Sequence, residues 1–165
     1  MDLKFEVSAR VSRPVEDVFE AVVDPAKLSA YFTTGGAKGR LDTGAIVTWD
    51  FHDFPGAFPV EVVEVEKNRR IILKWEAYEP KPDASTAADD CPPADSTNYM
   101  TTVTMRFEPL DDNSRTLVTV VEEGWRPTGQ GLKGSYGNCY GWTQMLCGLK
   151  VWVEHGINLR DGFFK

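Results

Sequence analysis

Side chains able to move a proton near neutral pH are scarce in this sequence, which has only two histidines, His52 and His155. His52 shares the polar parity of its strand with Asp50, which reads as a solvated surface position. His155 ends a helical stretch, where a cation complements the negative end of the helix dipole. No Ser-His-Asp order, Gly-x-Ser-x-Gly elbow or phosphate-binding glycine loop is present. Gly129-Gln130-Gly131-Leu132-Lys133-Gly134 lacks the Gly-Lys-Ser/Thr ending and follows no strand that feeds a parallel sheet. Cys139 and Cys147 stand eight residues apart on one helix, about 12 Å along its axis, too far for a disulfide within it. Cys91 falls in a loop and its state stays open. No C-x-x-C or Cys/His cluster suggests a metal, and no cofactor motif appears.

Among the carboxylates one strand end offers chemistry. Along Thr116-Leu117-Val118-Thr119-Val120-Val121-Glu122-Glu123 either parity could face inward, carrying Glu122 with Val118 and Val120, or Glu123 with Leu117 and Val121. A glutamate taken out of water beside Trp125 has a raised pKa and could serve as acid, base or ligand anchor. Tyr99 and Arg126 are the polar groups that could work with it, and Arg126 could pair with an anionic ligand.

These side chains need elements to place them. Leu3 to Val11 alternates polar and apolar residues, the mark of a half-buried strand. The period then changes: Val15, Val18, Phe19, Val22 and Val23 form a helical stripe, with Ser12 as cap, Pro14 in the first turn and Asp24-Pro25 as the stop. A second short helix is expected from Ala26 to Phe32. From Thr33 to Trp125 the chain reads as strands. Val47, Trp49 and Phe51 share one face; Ile71, Leu73, Trp75 and Ala77 another; Tyr99, Val103, Met105 and Phe107 a third. Polar residues fill the alternate positions, so each strand belongs to an antiparallel sheet with one wet face. Asp42-Thr43-Gly44, Pro55-Gly56, Lys67-Asn68 and Asp111-Asp112-Asn113 supply turns. The slip in alternation at Val62-Val63 predicts a bulge.

Two stretches differ in kind. Residues 79–98 are rich in Pro, Asp, Ala and Ser and read as a long loop, either an inert insertion or a lid. Lys133 to His155 reads as a long helix stopped by Gly156, with Trp142, Met145, Leu146, Leu149 and Val153 on one stripe and Trp152 beside it. Gly134, Gly137, Gly141 and Gly148 each cost a helix about 1 kcal/mol against alanine. Close approach of the helix to the sheet, or to a ligand, is what would offset that.

The expected architecture is α+β: a curved antiparallel sheet, two short N-terminal helices and one long C-terminal helix, as a single domain over residues 1–165. With 165 residues, 42% hydrophobic and 26% charged, the chain is ordinary for a soluble domain. A net charge of −7 argues against nucleic acid or an anionic membrane as partner. No run reaches the ~20 apolar residues of a membrane span, and the alternating start is not a signal peptide, which points to the cytoplasm.

Ser12-Arg13-Pro14-Val15-Glu16-Asp17-Val18-Phe19, followed by Asp24-Pro25-Ala26-Lys27-Leu28, resembles the opening of START-like (helix-grip, SRPBCC) domains. Asp42-Thr43-Gly44, the strand pair turning at Asn68-Arg69-Arg70, Gly124-Trp125 and the helix Gly141 to Lys150 are most similar to one branch. It is named after the C-terminal domain of activators of the ninety-kilodalton heat-shock chaperone's ATPase. The resemblance covers nearly the whole chain, although residues 79–98 make a longer loop and the last helix has more glycine than that pattern.

It implies an apolar pocket between sheet and helix, of the ~300–1,000 Å³ usual for small-molecule sites. The expected lining is Val47, Trp49, Phe51, Leu73, Trp75, Tyr99, Val103 and Met105 from the strands, Glu122, Trp125 and Arg126 at the mouth, and Tyr140, Trp142, Met145 and Leu149 from the helix. The leading expectation is a binder or carrier of a hydrophobic or aromatic small molecule. A polyketide cyclase or aromatase-like enzyme using Glu122 or Glu123, Tyr99 and Arg126 is one alternative. A module that engages a chaperone protein is the other.

Overall fold

A computed structural model of the chain describes residues 3–54, 56–80 and 98–164. The expected loop at 79–98 falls almost wholly outside the described residues, as does Cys91. Strand β1 (Leu3–Val11) leads into α1 (Val15–Val23) and α2 (Pro25–Ser29). Then come β2 (Gly36–Lys38), β3 (Ile46–Asp50), β4 (Phe58–Glu66), β5 (Arg70–Glu76), β6 (Met100–Leu110), β7 (Arg115–Trp125) and α3 (Gly129–His155). The seven strands form one curved antiparallel sheet in the order β1-β7-β6-β5-β4-β3-β2. Only β1 is out of sequence: it crosses to pair with β7, and α1 and α2 bridge to the far edge. This is the α+β architecture expected from the order of the elements, and it is consistent with the helix-grip fold that the resemblance implies.

Inward parity is as the sequence sets it along β3, β5 and β6: Val47, Trp49, Ile71, Leu73, Val103, Met105 and Phe107 are all buried. Two bulges adjust it. The register of β4 on β5 slips between Val62 and Glu64, at the predicted position. The second lies where β1 meets β7: Leu3 faces Trp125 but Lys4 faces Glu123, which leaves Gly124 unpaired at φ 93°. One extra residue shifts parity by one. Glu122 points inward with Val118 and Val120 and Glu123 outward, and the extra residue lets Trp125, three residues after Glu122, point inward too.

Capping departs from expectation in one place. Helix α1 begins at Val15 with Pro14 before it, and Ser12 does not cap it. The Ser12 N–H instead donates to Glu154 at the far end of α3, at 2.6 Å. The cap comes from the β6–β7 turn, where Asp111, Asp112 and Asn113 all take positive φ, a conformation Asp and Asn tolerate. Asn113 Oδ1 accepts from Val15 N (2.9 Å) and its Nδ2 donates to Glu16 Oε2 (2.9 Å). A cap 98 residues away in sequence has no local signature.

Helix α3 starts four residues before the expected Lys133, because Thr128 Oγ1 accepts from Gly131 N and caps it. Gly156 ends it at φ 70°, the left-handed stop. The helix packs on β1 and β7 and touches α1. Its C-terminal half buries Trp142, Met145, Leu146 and Leu149. At Gly148 an added Cβ would lie 2.9 Å from the Tyr31 carbonyl oxygen; at Gly134, 2.5 Å from that of Tyr78 and 2.8 Å from the Trp125 ring. Gly137 and Gly141 differ, because nothing lies within 4 Å of where their Cβ would be. Close packing accounts for the first pair; the second pair faces open space.

Candidate functional site

That open space is a cavity of about 620 Å³ between the N-terminal half of α3 and the ends of β4 and β5. Rings dominate its wall: Phe32, Phe51, Phe54, Phe58, Trp75, Tyr78 and Trp142. They brace one another, with centroids 5.5 Å apart for Phe32 and Trp142, 5.3 Å for Trp75 and Trp142, and 5.8 Å for Phe58 and Trp75. Gly134, Gly137 and Gly141 form the helix side, three residues and then four apart on one face. Asn138 lies among them.

Behind the two indoles is the one fully buried carboxylate among the described residues, Glu122, with 0% exposure. Glu122 Oε1 accepts from Trp75 Nε1 at 2.9 Å, from Thr101 Oγ1 at 2.7 Å and from Asn138 Nδ2 at 3.0 Å. Its Oε2 accepts from Trp142 Nε1 at 2.9 Å and from Asn138 Nδ2 at 3.1 Å. The sequence places these partners by simple rules. Trp75 pairs directly with Thr101 across β5 and β6, and Glu122 on β7 sits diagonally to Thr101. Asn138 and Trp142 are four apart on α3 and share a face. No cation bonds Glu122 among the described residues. Burial raises its pKa above the ordinary carboxylate value, and the hydrogen bonds from Trp75, Thr101, Asn138 and Trp142 offset part of that rise. An indole N–H can only donate, so Glu122 is the acceptor that both tryptophans need once buried.

Four charged side chains reach the cavity wall: Asp53, Glu76, Lys133 and Arg160. Only Arg160, 8% exposed, is buried. It follows the α3 stop, in a turn where the Asn158 side chain accepts from Arg160 N. Its Nη1 donates to the Phe32 carbonyl at 2.9 Å. The guanidinium also lies 5.7 Å from the Phe32 ring centroid and 5.8 Å from that of Phe51. Burial lowers its pKa from the ordinary guanidinium value, and the Asp53 charge opposes that.

Of the fifteen side chains expected to line a pocket, Phe51, Trp75 and Trp142 reach the cavity. Val47, Trp49, Leu73, Val103, Met105, Met145 and Leu149 are closed into the packed core beside and beneath it. Glu122 stands behind the wall rather than on it. Trp125 is buried under Gly134, away from the cavity surface. Tyr99 and Arg126 pair with each other elsewhere. The Arg126 guanidinium lies 4.4 Å from the Tyr99 ring centroid, and the Tyr99 hydroxyl donates to Glu79 at 2.7 Å. Partial burial and the Glu79 contact push that phenol up to about 12. Tyr140 is 61% exposed and is not part of the cavity wall, although it stands one turn after Gly137, at the edge of the helix face that the glycines present. Glu122, Tyr99 and Arg126 therefore do not converge on one space.

Phe32, Phe54, Phe58, Asn138 and Arg160 are wall residues that reading the sequence missed. Asn138 was within reach, since it sits one turn before Trp142 on the same face. The others come from loops, a strand end and the tail after Gly156, where no period marks a direction. His52 is exposed, but β3 ends at Asp50 and His52 lies in the bend that follows rather than on the strand's polar face. Among the described residues no group of three or more His, Cys, Asp or Glu side chains could hold a metal ion, and no helix is long and apolar enough to cross a membrane.

Comparison with known proteins agrees with this fold. The structure is similar to protein SSP2350 from Staphylococcus saprophyticus, 26% identical over 96% of each chain with a TM-score of 0.70. It is similar in fold to the Aha1 dimer from Colwellia psychrerythraea, 16% identical over 93% of this chain and 98% of that one, TM-score 0.66. DynU16, described as a putative protein in the dynemicin biosynthetic locus, shares 22% identity over 93% of this chain and 48% of its own, with a TM-score of 0.68. No curated protein sequence matches the chain. The family model for activator of Hsp90 ATPase homolog 1-like proteins matches residues 12–154, from the turn after β1 to the last turn of α3, and the chain belongs to that family.

Proposed function

We propose that the chain binds a hydrophobic or aromatic small molecule in the cavity between α3 and the sheet. One observation carries this reading. A ring-lined space of about 620 Å³ stays open where two helical glycines, Gly137 and Gly141, leave their side of the helix bare. Alanine at either position would improve the helix by about 1 kcal/mol, so an intramolecular packing reason for glycine is missing there. A ligand lying against the helix backbone supplies one. The volume is within the usual range for small-molecule sites, and polar groups at the wall are few enough to orient a ligand without dominating it.

An acid–base enzyme built on Glu122, Tyr99 and Arg126 receives no such support. Both Glu122 oxygens are occupied by internal donors, and Tyr99 and Arg126 face each other outside the cavity. Family membership favours one second reading, engagement of a chaperone ATPase, which stimulation of that ATPase by the purified chain would test. The ligand reading is tested by native mass spectrometry of protein purified from its own cells. A stoichiometric small-molecule adduct is expected, and Gly141→Leu should remove it while the fold is retained. An adduct equally abundant on the leucine variant would place the ligand elsewhere and refute the reading.

A further inference from the structure

Arg160 is incompletely used by the protein that buries it. A guanidinium carries five N–H donors and is always charged. Here Nη1 is satisfied by the Phe32 carbonyl, while Nη2 reaches the two Asp53 oxygens only at 3.4 and 3.5 Å, beyond good N–H···O range. Nε is buried and has no partner. A buried, under-satisfied charge is expensive unless something else completes it.

Asp53 does not complete it. Its side chain is 37% exposed and holds the guanidinium loosely from one side. The remaining charged groups on the wall, Glu76 and Lys133, are exposed and screened by water. Glu122 is committed to four internal donors behind the indoles. The strongest unmet demand at this aromatic cavity is therefore for an acceptor, and for one with negative charge.

Building on the ligand-binding reading above, we propose that the ligand is an aromatic or hydrophobic anion whose carboxylate, or ionised phenol, is received by Arg160. The apolar body lies among Trp142, Trp75, Phe58 and Phe51. The charged end takes the N–H groups of Nη2, which Asp53 holds only loosely. A planar fork beside stacked rings suits a flat aryl acid better than an isolated point charge would.

The test compares naphthoate with naphthamide, which share ring and shape and differ in charge, by tryptophan quenching and calorimetry on the purified full chain. Wild-type protein should bind naphthoate at least about tenfold more tightly, the scale of a buried charge-assisted hydrogen bond. Arg160→Met keeps an apolar stem and removes the fork; naphthoate should weaken about tenfold and naphthamide by less than about twofold. Asp53→Asn, on an exposed loop, should strengthen naphthoate by removing a competing carboxylate. Equal binding of the two probes by wild-type protein would overturn the proposal whether or not the methionine variant folds. So would equal loss of both probes in a folded Arg160→Met, or weaker naphthoate binding by Asp53→Asn. Binding of neither probe would sink the ligand reading itself, and this inference with it.

Discussion

Replacing Glu122 by glutamine removes its charge, keeps its shape, and puts one amide nitrogen where an oxygen accepts hydrogen bonds. If the nitrogen takes the Oε2 position, it meets the Trp142 N–H, at present 2.9 Å from an acceptor. Asn138 can turn its amide to offer an oxygen, but an indole cannot. If the nitrogen takes the Oε1 position, Thr101 can accept from it while the Trp75 N–H loses its partner. Either way one buried indole N–H is orphaned, at about 1–3 kcal/mol. A protonated Glu122 avoids this, because its O–H can donate to Thr101 and leave both indole bonds in place. The pH dependence follows. Burial raises the folded-state pKa of Glu122 above its unfolded value. The stability this contributes is fully present below the unfolded pKa, about 4.3, and is lost as pH rises through the folded one. Glutamine does not titrate, so the deficit of Glu122→Gln should be largest in acid and shrink as pH rises. Urea unfolding of both proteins, followed by tryptophan fluorescence from about pH 4 to about pH 8, measures the difference and cancels the other carboxylates. No deficit at any pH would refute the claim that one carboxylate serves both indoles. A deficit that grows with pH would show that the four donors outweigh burial.

The α3 glycines should divide by what surrounds them. Gly137→Ala should stabilise by about 0.5–1 kcal/mol in thermal unfolding. Gly134→Ala, whose methyl meets the Tyr78 carbonyl and the Trp125 ring, should destabilise by about 1–3 kcal/mol. Asn113→Gly keeps the left-handed backbone but deletes the α1 cap, with an expected loss of about 1 kcal/mol by urea unfolding, whereas Ser12→Ala should stay within about 0.5 kcal/mol. Tyr140→Ser, at a ring that is 61% exposed, should leave stability within about 0.5 kcal/mol in thermal unfolding.

The sheet was legible because period-2 alternation states directly which side of each strand is apolar. The inward faces of β3, β5 and β6 needed no tertiary information, and β7 needed only the choice between Glu122 and Glu123. Alternation cannot tell a side chain that fills a core from one that borders a void. Val47 and Phe51 read alike, yet one is packed and the other lines the cavity. That difference depends on what α3 places opposite, and its glycines were visible while their neighbours were not. The polar end of the cavity was illegible for another reason: Arg160 is brought to Phe32 and Asp53 by a turn beyond the helix stop, 128 and 107 residues away in sequence. The tight turns that nucleate local structure leave a signature in the sequence; a long-range partner of this kind leaves none.

A carboxylate in the core is a poor way to add stability, since well-packed apolar residues of similar volume often do as well. Its value here lies in geometry. Trp75 and Trp142 form much of the cavity wall and border open space, where packing alone cannot hold a ring in one rotamer. Each is held at its ring nitrogen by Glu122, from behind, leaving the ring itself to face the cavity. Asn138 joins the same carboxylate from the turn before Trp142, which fixes the helix backbone over the void at the place where glycine has weakened it. The fold thus combines a locally destabilised helix, an unfilled space and a buried charge, three features that each oppose stability and together keep one aromatic wall in place before any ligand arrives. A preorganised wall spares a ligand the ordering cost that mobile rings would impose. On this view Glu122 acts on binding through two tryptophans, and Glu122→Gln should weaken naphthoate and naphthamide alike. A selective loss of one probe would place the carboxylate in direct contact with the ligand instead.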